Sequence, residues 1–586
     1  MNILMALSQL EITGAEVYAT TVGDKLISHG YNVYYVSDTL TRTHRGTFYK
    51  LHFNKRSILR RFWHVGYLLY LIKKNKIQLV HAHSRSSRWS CYFACKITGI
   101  AMVTSIHGRQ SVHTSSKKVH AMGDKVLPVC EEVYKQLIHD FKVPTDIISI
   151  NRNGVRTEDF FWHAAPTNDK PVISIIGRLT GPKGELCYKL LDECLDFDKY
   201  YVQVISASKI DPSFDKFSSQ VNFFGHSQNI TEILTQSDLV IGAGRVAMES
   251  LLCGRPTFAI GEAGAIGIIN QNNISQAIAT NFGDTGSKEL DIDFLKIKSE
   301  VEKGLKNKYC SKQVTNIVRQ NYDLNKIVDQ LENIYQTTYV EKFLKKIPII
   351  MYHRFIQNDS EKGVHGTYLH VEMLEKHFKL LKRMKFETLT FEDLANKEKI
   401  FRLELKKRYI IITADDGYED NYYLLLPLLK KYNFKAVVYA VTKENFNRWD
   451  VEVKTNPDIL IPLMTLEQIK TISDSGHVEI GGHTLTHPRL NTLTFEEQKM
   501  EIEKNKIYLE KLLGRKLISF AYPYGEYNQD SKDIAKKVGY QYAVATNGKQ
   551  LDTHSDLYQI SRIAIFPRTS VFGLWRKIFC TRFLKK

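Results

Sequence analysis

Cysteine is scarce in this chain and poorly placed for cross-linking. Eight are spread over 586 residues, none falls between residues 311 and 579, and no two form a CxxC pair. That excludes a disulfide framework and suits reduced thiols. Long apolar runs are missing as well. The longest, residues 65–72, reaches eight residues even with Gly and Tyr counted, far short of the roughly 20 that a helix needs to cross a bilayer. The N-terminus has no basic segment ahead of a hydrophobic one and no small-residue cleavage site, so no secretory leader is expected. Proline is sparse at 14, while 43% of the residues are hydrophobic and 25% charged, which excludes a disordered polymer. Acids are outnumbered, 63 against 81 Lys and Arg, for a formal charge of +18. With no helix-turn-helix, zinc-finger or RNP pattern, that charge is not expected to serve nucleic acid.

The cations are unevenly distributed. Lys55, Arg56, Arg60 and Arg61 precede the apolar residues 62–72, and Lys73, Lys74 and Lys76 follow them, which reads as a basic amphipathic helix. Residues 575–586 repeat the theme, with five cations among Trp, Phe, Ile and Leu. Adsorption to an anionic membrane surface accounts for both segments; a solvated basic face is the plainer alternative.

A chain of this length predicts about three or four domains. Its sharpest chemical signal is YIIITADDGYED, residues 409–420, where β-branched and aromatic residues end in the adjacent carboxylates Asp415 and Asp416 and a glycine. A buried strand delivers acids to the mouth of a pocket in this way, and Gly417 lets the backbone turn so that one acid reaches a metal and the other a water. Further on comes Gly481-Gly482-His483-Thr484-Leu485-Thr486-His487-Pro488. If this segment turns helically, His483 and His487 share a face and grip one cation, and two His with one Asp make a facial set with open positions. Phe520-Ala521-Tyr522-Pro523-Tyr524-Gly525 ends another apolar strand in a tight turn, a source of a backbone N–H for an oxyanion. Singly, an Asp-Asp-Gly reads as a turn and an HxxxH as a solvated helix face; their order and spacing carry the signal.

With IPIIMYHRF upstream, residues 347–355, these segments resemble the NodB-type polysaccharide deacetylases, carbohydrate esterase family 4, over residues 346–575. The resemblance implies a distorted (β/α) barrel in which Asp416, His483 and His487 hold a divalent metal, zinc first, with manganese, cobalt, nickel or iron as alternatives. It implies Asp415 as the base, the Tyr524 N–H at the oxyanion and His554 as the nearest candidate for the general acid. The chain departs from the family's pattern at Ala414, where an aromatic is usual, and in lacking an arginine before the Pro-Tyr-Gly turn.

The first half alternates strand, Gly-bearing loop, helix and strand, which argues a doubly wound parallel sheet. Gly14 and Ala15 open a helix and leave N–H groups for an anion or sugar, although a packing turn looks the same. Residues 102–106 run into His107, placed to contact substrate or to serve structure. After Asn153-Gly154-Val155 a second sheet begins at VISIIGRL, residues 172–179. Arg178 and Lys183 flank its first strand-to-helix loop, within reach of a diphosphate at the helix N-terminus; a plain basic loop fits equally well. Gly242-Ala243-Gly244 leads into a helix bearing Glu249, an odd choice for packing alone, which can accept from ribose hydroxyls. Together these features resemble the family 4 glycosyltransferases of the GT-B fold over residues 1–340, with Ile241 where the family often carries a first glutamate.

The expected architecture is α/β: two Rossmann-like doubly wound domains, at 1–165 on the acceptor side and 166–325 on the nucleotide-sugar side, a helical linker at 326–345, and a distorted (β/α) barrel deacetylase domain at 346–586 with a basic C-terminal tail. The expected function is bifunctional. UDP-N-acetylhexosamine donates its sugar, with retention, to a lipid-linked saccharide acceptor at the cytoplasmic face of the cell membrane, and metal-dependent N-deacetylation of that sugar follows, in bacterial surface glycan biosynthesis. The alternatives are a deacetylase with an inactive GT-B sugar-binding module, against which Arg178, Lys183 and Glu249 argue, and an intact transferase with a dead esterase.

Overall fold

The computed structural model describes residues 1–8, 14–55, 57–112, 121–208, 210–225, 229–286, 293–362, 365–403, 407–451, 460–546 and 556–580. The chain forms two compact units, Met1–Tyr339 and Val340–Lys586.

The first unit holds two six-stranded sheets. Strands β1 (Asn2–Ala6), β2 (Asn32–Ser37), β3 (Thr47–Lys50), β4 (Leu79–Ala82), β5 (Ala101–Ile106) and β6 (Lys125–Pro128) lie in the order 3-2-1-4-5-6 and pair in parallel throughout. This doubly wound order places a crevice at the carboxyl ends of the strands, beside β1 and β4. The second sheet, β7 (Val172–Ile176), β8 (Tyr201–Ile205), β9 (Val221–Phe224), β10 (Leu239–Gly242), β11 (Thr257–Gly261) and β12 (Gly264–Ile268), has the order 12-11-10-7-8-9. Only its β11–β12 edge pair is antiparallel. Helix Leu324–Leu344 is helical where a linker is expected from the sequence, but it also serves the first sheet. Leu324, Ile327, Val328, Leu331 and Tyr335 form one stripe at helical spacing, buried with Ile3, Met5, Leu79 and Val103.

The second unit is a nearly closed parallel barrel. Its strands are β13 (Ile349–Tyr352), β16 (Phe386–Leu389), β17 (Arg408–Ala414), β18 (Ala436–Ala440), β19 (Val478–Gly482), β20 (Ser519–Ala521), β21 (Tyr542–Ala545), β22 (Ile560–Ser561) and β23 (Ile563–Ala564), with β14 (Arg354–Ile356) and β15 (Tyr368–His370) forming a separate ribbon. The order 22-21-20-19-18-17-13-23 runs around the barrel, and β16 pairs with the start of β17. Closure is made by one short segment: β22 pairs with β21 and β23 with β13, with only Arg562 between them. Every residue of β17 after Arg408 is buried, as a strand covered on both faces requires. The α/β class with doubly wound sheets followed by a distorted barrel is therefore the architecture observed.

Candidate functional site

The carboxyl ends of β17, β19 and β20 meet at one mouth of the barrel. Asp415 and Asp416 leave β17 directly and are 3% and 6% exposed. The Asp415 N–H donates to Tyr352 O at 3.0 Å, and the chain then turns through Asp416 at φ 73° and Gly417 at φ 74°. His483 follows β19, and its Nε2 lies 3.1 Å from Asp416 Oδ1; His487 Nε2 lies 3.3 Å from the same oxygen. One ligand atom from each of the three residues falls within 4.8 Å of the others. This set fits a divalent metal. The His483 Nδ1–H donates to Ala521 O at 2.8 Å, which leaves the Nε2 lone pair facing the centre, the outer partner that metal-ligating histidines characteristically keep.

The helical turn expected over residues 483–487 does not form. Thr484 and His487 instead take left-handed φ of 66° and 60°, and the loop is held from outside. Glu501, on helix Phe495–Leu513, accepts from the N–H groups of Leu485 at 2.8 Å and Thr486 at 3.0 Å. Asn505, one turn further on, donates to Thr484 O at 2.7 Å and accepts from the His483 N–H at 3.2 Å. The two imidazoles converge because this clamp folds the loop back. Both glycines before them are needed, since a Cβ at Gly481 would lie 2.4 Å from the Tyr439 ring and one at Gly482 2.1 Å from Tyr540 Oη. Non-glycine residues rarely adopt positive φ; Asp416, Thr484, His487 and Tyr524 all do so within this one site, a clustering characteristic of functional centres.

Asp415 is engaged separately. Arg562, from the closing segment, donates from Nη1 and Nη2 to its two oxygens at 2.6 Å each and to Thr413 Oγ1 at 3.0 Å. Burial pushes the Asp415 carboxyl up, but the charge and hydrogen bonds of the guanidinium outweigh it and leave the group below its ordinary range. Sequence reasoning missed Arg562 because it lies between the last two strands, each only two residues long. The arginine absent before the Pro-Tyr-Gly turn is supplied here from elsewhere on the ring. Tyr524, in the Pro523–Gly525 turn, has φ 58°; its ring meets His487 edge-on at 4.7 Å, and Arg489 lies over the ring at 4.1 Å. Trp449 stacks on His487 at 4.3 Å. His353, just past β13, lines the same cavity and has no hydrogen-bond partner at Nδ1. His554 lies outside the described residues.

In the first unit, a cavity of about 390 Å³ is lined by Gly14, Tyr18, His107 and Asn153 from the first sheet's side and by Arg178, Lys183 and Arg245 from the second's. His107 Nδ1 lies 3.1 Å from Asn153 Oδ1, and burial pushes its pKa down to about 4, so the ring is neutral at physiological pH. Arg178 pairs with Glu262 at 3.3 Å and Lys183 with Asp284 at 2.5 Å. Glu249 is not in that wall. It is buried one helical turn beyond Arg245 and accepts from its Nε at 2.6 Å.

A cleft between two doubly wound sheets and a parallel barrel with a carboxylate–imidazole triad at its strand ends define a two-site α/β enzyme. Residues 12–159 match the family model Glycosyltransferase Family 4, and residues 402–543 match Polysaccharide deacetylase. The chain thus joins a family 4 glycosyltransferase domain to a polysaccharide deacetylase domain, as a bifunctional enzyme of glycan biosynthesis. It is 29% identical over 235 residues to Bacillus subtilis (strain 168) YxkH, which carries a polysaccharide deacetylase designation; the match covers 39% of this chain and 76% of that one. It is 26% identical over 220 residues to the poly-β-1,6-N-acetyl-D-glucosamine N-deacetylase of Staphylococcus aureus, covering 35% and 70%. A glycosyltransferase structure from Rickettsia africae aligns at 21% identity with a TM-score of 0.47, covering 57% of this chain and 98% of that one.

Proposed function

We propose that the chain transfers an N-acetylhexosamine, with retention, from a uridine-diphosphate sugar to a lipid-linked saccharide, and then removes the acetyl group from the sugar it has added. The setting is the assembly of a bacterial surface glycan at the inner face of the cell membrane. One observation carries this reading: the Asp415–Arg562 pair stands beside the Asp416, His483 and His487 triad on a chain that also holds a family 4 glycosyltransferase domain. The Staphylococcus aureus relatives, named for N-deacetylation of an N-acetylglucosamine polymer, support the substrate class.

When bound by Asp416, His483 and His487, a divalent metal supplies a water of lowered pKa and a polarised amide carbonyl. Asp415, kept ionised by Arg562, accepts the proton of the attacking water. The Tyr524 N–H stabilises the oxyanion, and His353, with Nδ1 unpartnered in the same cavity, takes the proton-donor role to the leaving amine in place of His554. In the cleft, Arg178 and Lys183 exchange Glu262 and Asp284 for the donor diphosphate. Glu249 first positions Arg245 and reaches a ribose only once that contact gives way.

Transfer comes first. A free nucleotide sugar brings a diphosphate, yet Arg562, the buried arginine lining the barrel cavity, is already committed to both oxygens of Asp415. The test supplies purified protein with UDP-N-acetylhexosamine, with and without membrane extract as acceptor. Acetate is expected only with the extract, and release from the nucleotide sugar alone at the rate of the complete reaction overturns the order.

A further inference from the structure

Helix Ile58–Lys74 carries two apolar stripes. His64, Leu68, Leu71 and Ile72 recur at i, i+4, i+7 and i+8 and are buried, the three aliphatic residues in one cluster with Leu4, Val80 and Cys91. On the opposite side Leu59 is 81% exposed, Phe62 73% and Trp63 61%, and the adjoining helix Arg85–Thr98 adds Ile97 at 66%. A surface helix normally turns polar residues toward water on its outer face, and large apolar side chains exposed together on one face mark a surface that meets something else.

Charge identifies the partner. Neither helix contains an acidic residue, while Arg60, Arg61, Lys73, Lys74 and Lys96 lie on them. Two of these cations rest on aromatic faces, Arg61 over Trp89 at 5.9 Å and Lys74 over Tyr70 at 5.5 Å. A second copy of the chain facing this surface brings the same cations against themselves, whereas an anionic bilayer offers both phosphates and an apolar interior. We propose that these two helices dock the protein on an anionic lipid surface, with Phe62 and Trp63 entering the interface and the surrounding cations meeting headgroup phosphates. The surface gives the lipid-linked acceptor of the preceding reading a place to be met, but the docking stands without either activity.

The test mixes the full chain with sedimentable vesicles of phosphatidylcholine alone or with phosphatidylglycerol added. Wild type is expected to pellet with the phosphatidylglycerol vesicles and progressively less as salt rises. Phe62→Ser/Trp63→Ser is expected to lose roughly tenfold or more of that partitioning through lost apolar burial, and Arg60→Gln/Arg61→Gln to lose less while flattening the salt dependence. Both pairs are solvent-facing, so an unchanged thermal midpoint is expected and serves as the folding control. Three results overturn the proposal: no binding by wild type, undiminished binding by the Phe62/Trp63 variant, or a sedimentation-equilibrium dimer that this variant dissolves. A sugar-transfer assay in detergent run alongside separates the two ideas, because wild type that binds vesicles but transfers nothing counts against the enzymatic reading alone.

Discussion

The barrel mouth and the two-sheet cleft solve the problem of holding charge in opposite ways. At the mouth, Asp415, Asp416, His483, His487 and Arg562 are all nearly inaccessible, Asp415 bonded to Arg562 and Asp416 paired with the two histidines, on strand ends and a loop clamped by Glu501 and Asn505. In the cleft, Arg178 is half exposed and both it and Lys183 rest against carboxylates, Glu262 and Asp284, within the same lining. The first site is assembled when the barrel closes and, on the proposed function, needs only a metal and a substrate. The second holds its cations on replaceable partners, as the proposed binding and release of a diphosphate requires. A buried, interlocked site fails steeply when one member is removed, whereas a half-exposed one fails by degrees.

That contrast is most sharply broken at the triad. The double variant His483→Ala/His487→Ala is expected to purify without stoichiometric metal by elemental analysis and to show no deacetylation, while sugar transfer by the other unit persists. Arg562→Met comes next. It leaves Asp415 buried and unpaired, at a cost of about 3–5 kcal/mol to the barrel unit, measurable by denaturant unfolding. It should also move the acid limb of the deacetylation pH profile upward. In wild type, Arg562 holds the Asp415 carboxyl below its ordinary range, so the base stays ionised as pH falls. Without it, burial is opposed only by the lesser pulls of His353 and His483, and the base is protonated at higher pH.

In the cleft the effects should be smaller. Arg178→Ala and Lys183→Ala are each expected to raise the donor KM about tenfold, the loss of one charge-assisted contact, with acetate release from a supplied acetylated product unchanged. A separate effect, on stability and not on activity, falls on Glu479, a buried acid of β19 whose pKa burial pushes up to about 7. A carboxyl raised on folding contributes fully below its unfolded value near 4.5 and loses that contribution as pH rises through about 7. Glu479→Gln should therefore match wild type below about pH 4 and exceed it increasingly as pH rises to about 7 and above, by at most on the order of 3 kcal/mol, in thermal unfolding of the barrel unit.

Much of this contrast is legible in the sequence. Residues 409–416 show both the buried strand and the acids it delivers, because a strand with both faces covered is apolar throughout until it ends. The doubly wound alternation shows equally well in the Gly-punctuated first half. The helical reading of residues 483–487 failed because spacing alone cannot distinguish a helix from a loop clamped by side chains fifteen or more residues away in sequence, such as Glu501 and Asn505. Arg562 escaped notice because its role comes from barrel closure, a contact 147 residues distant in sequence from Asp415. The Arg245–Glu249 pair has ordinary i, i+4 spacing, which describes a helix surface as readily as a ligand site.

The proposed function has one chain add an acetylated sugar and then deacetylate it. Its most direct test is the product mass from Asp415→Asn, incubated with UDP-N-acetylhexosamine and membrane extract beside wild type. Asp415→Asn is expected to keep its metal and to accumulate the transferred sugar one acetyl group heavier than the wild-type product. An identical deacetylated product from both proteins, or the absence of any transferred sugar from wild type, contradicts it.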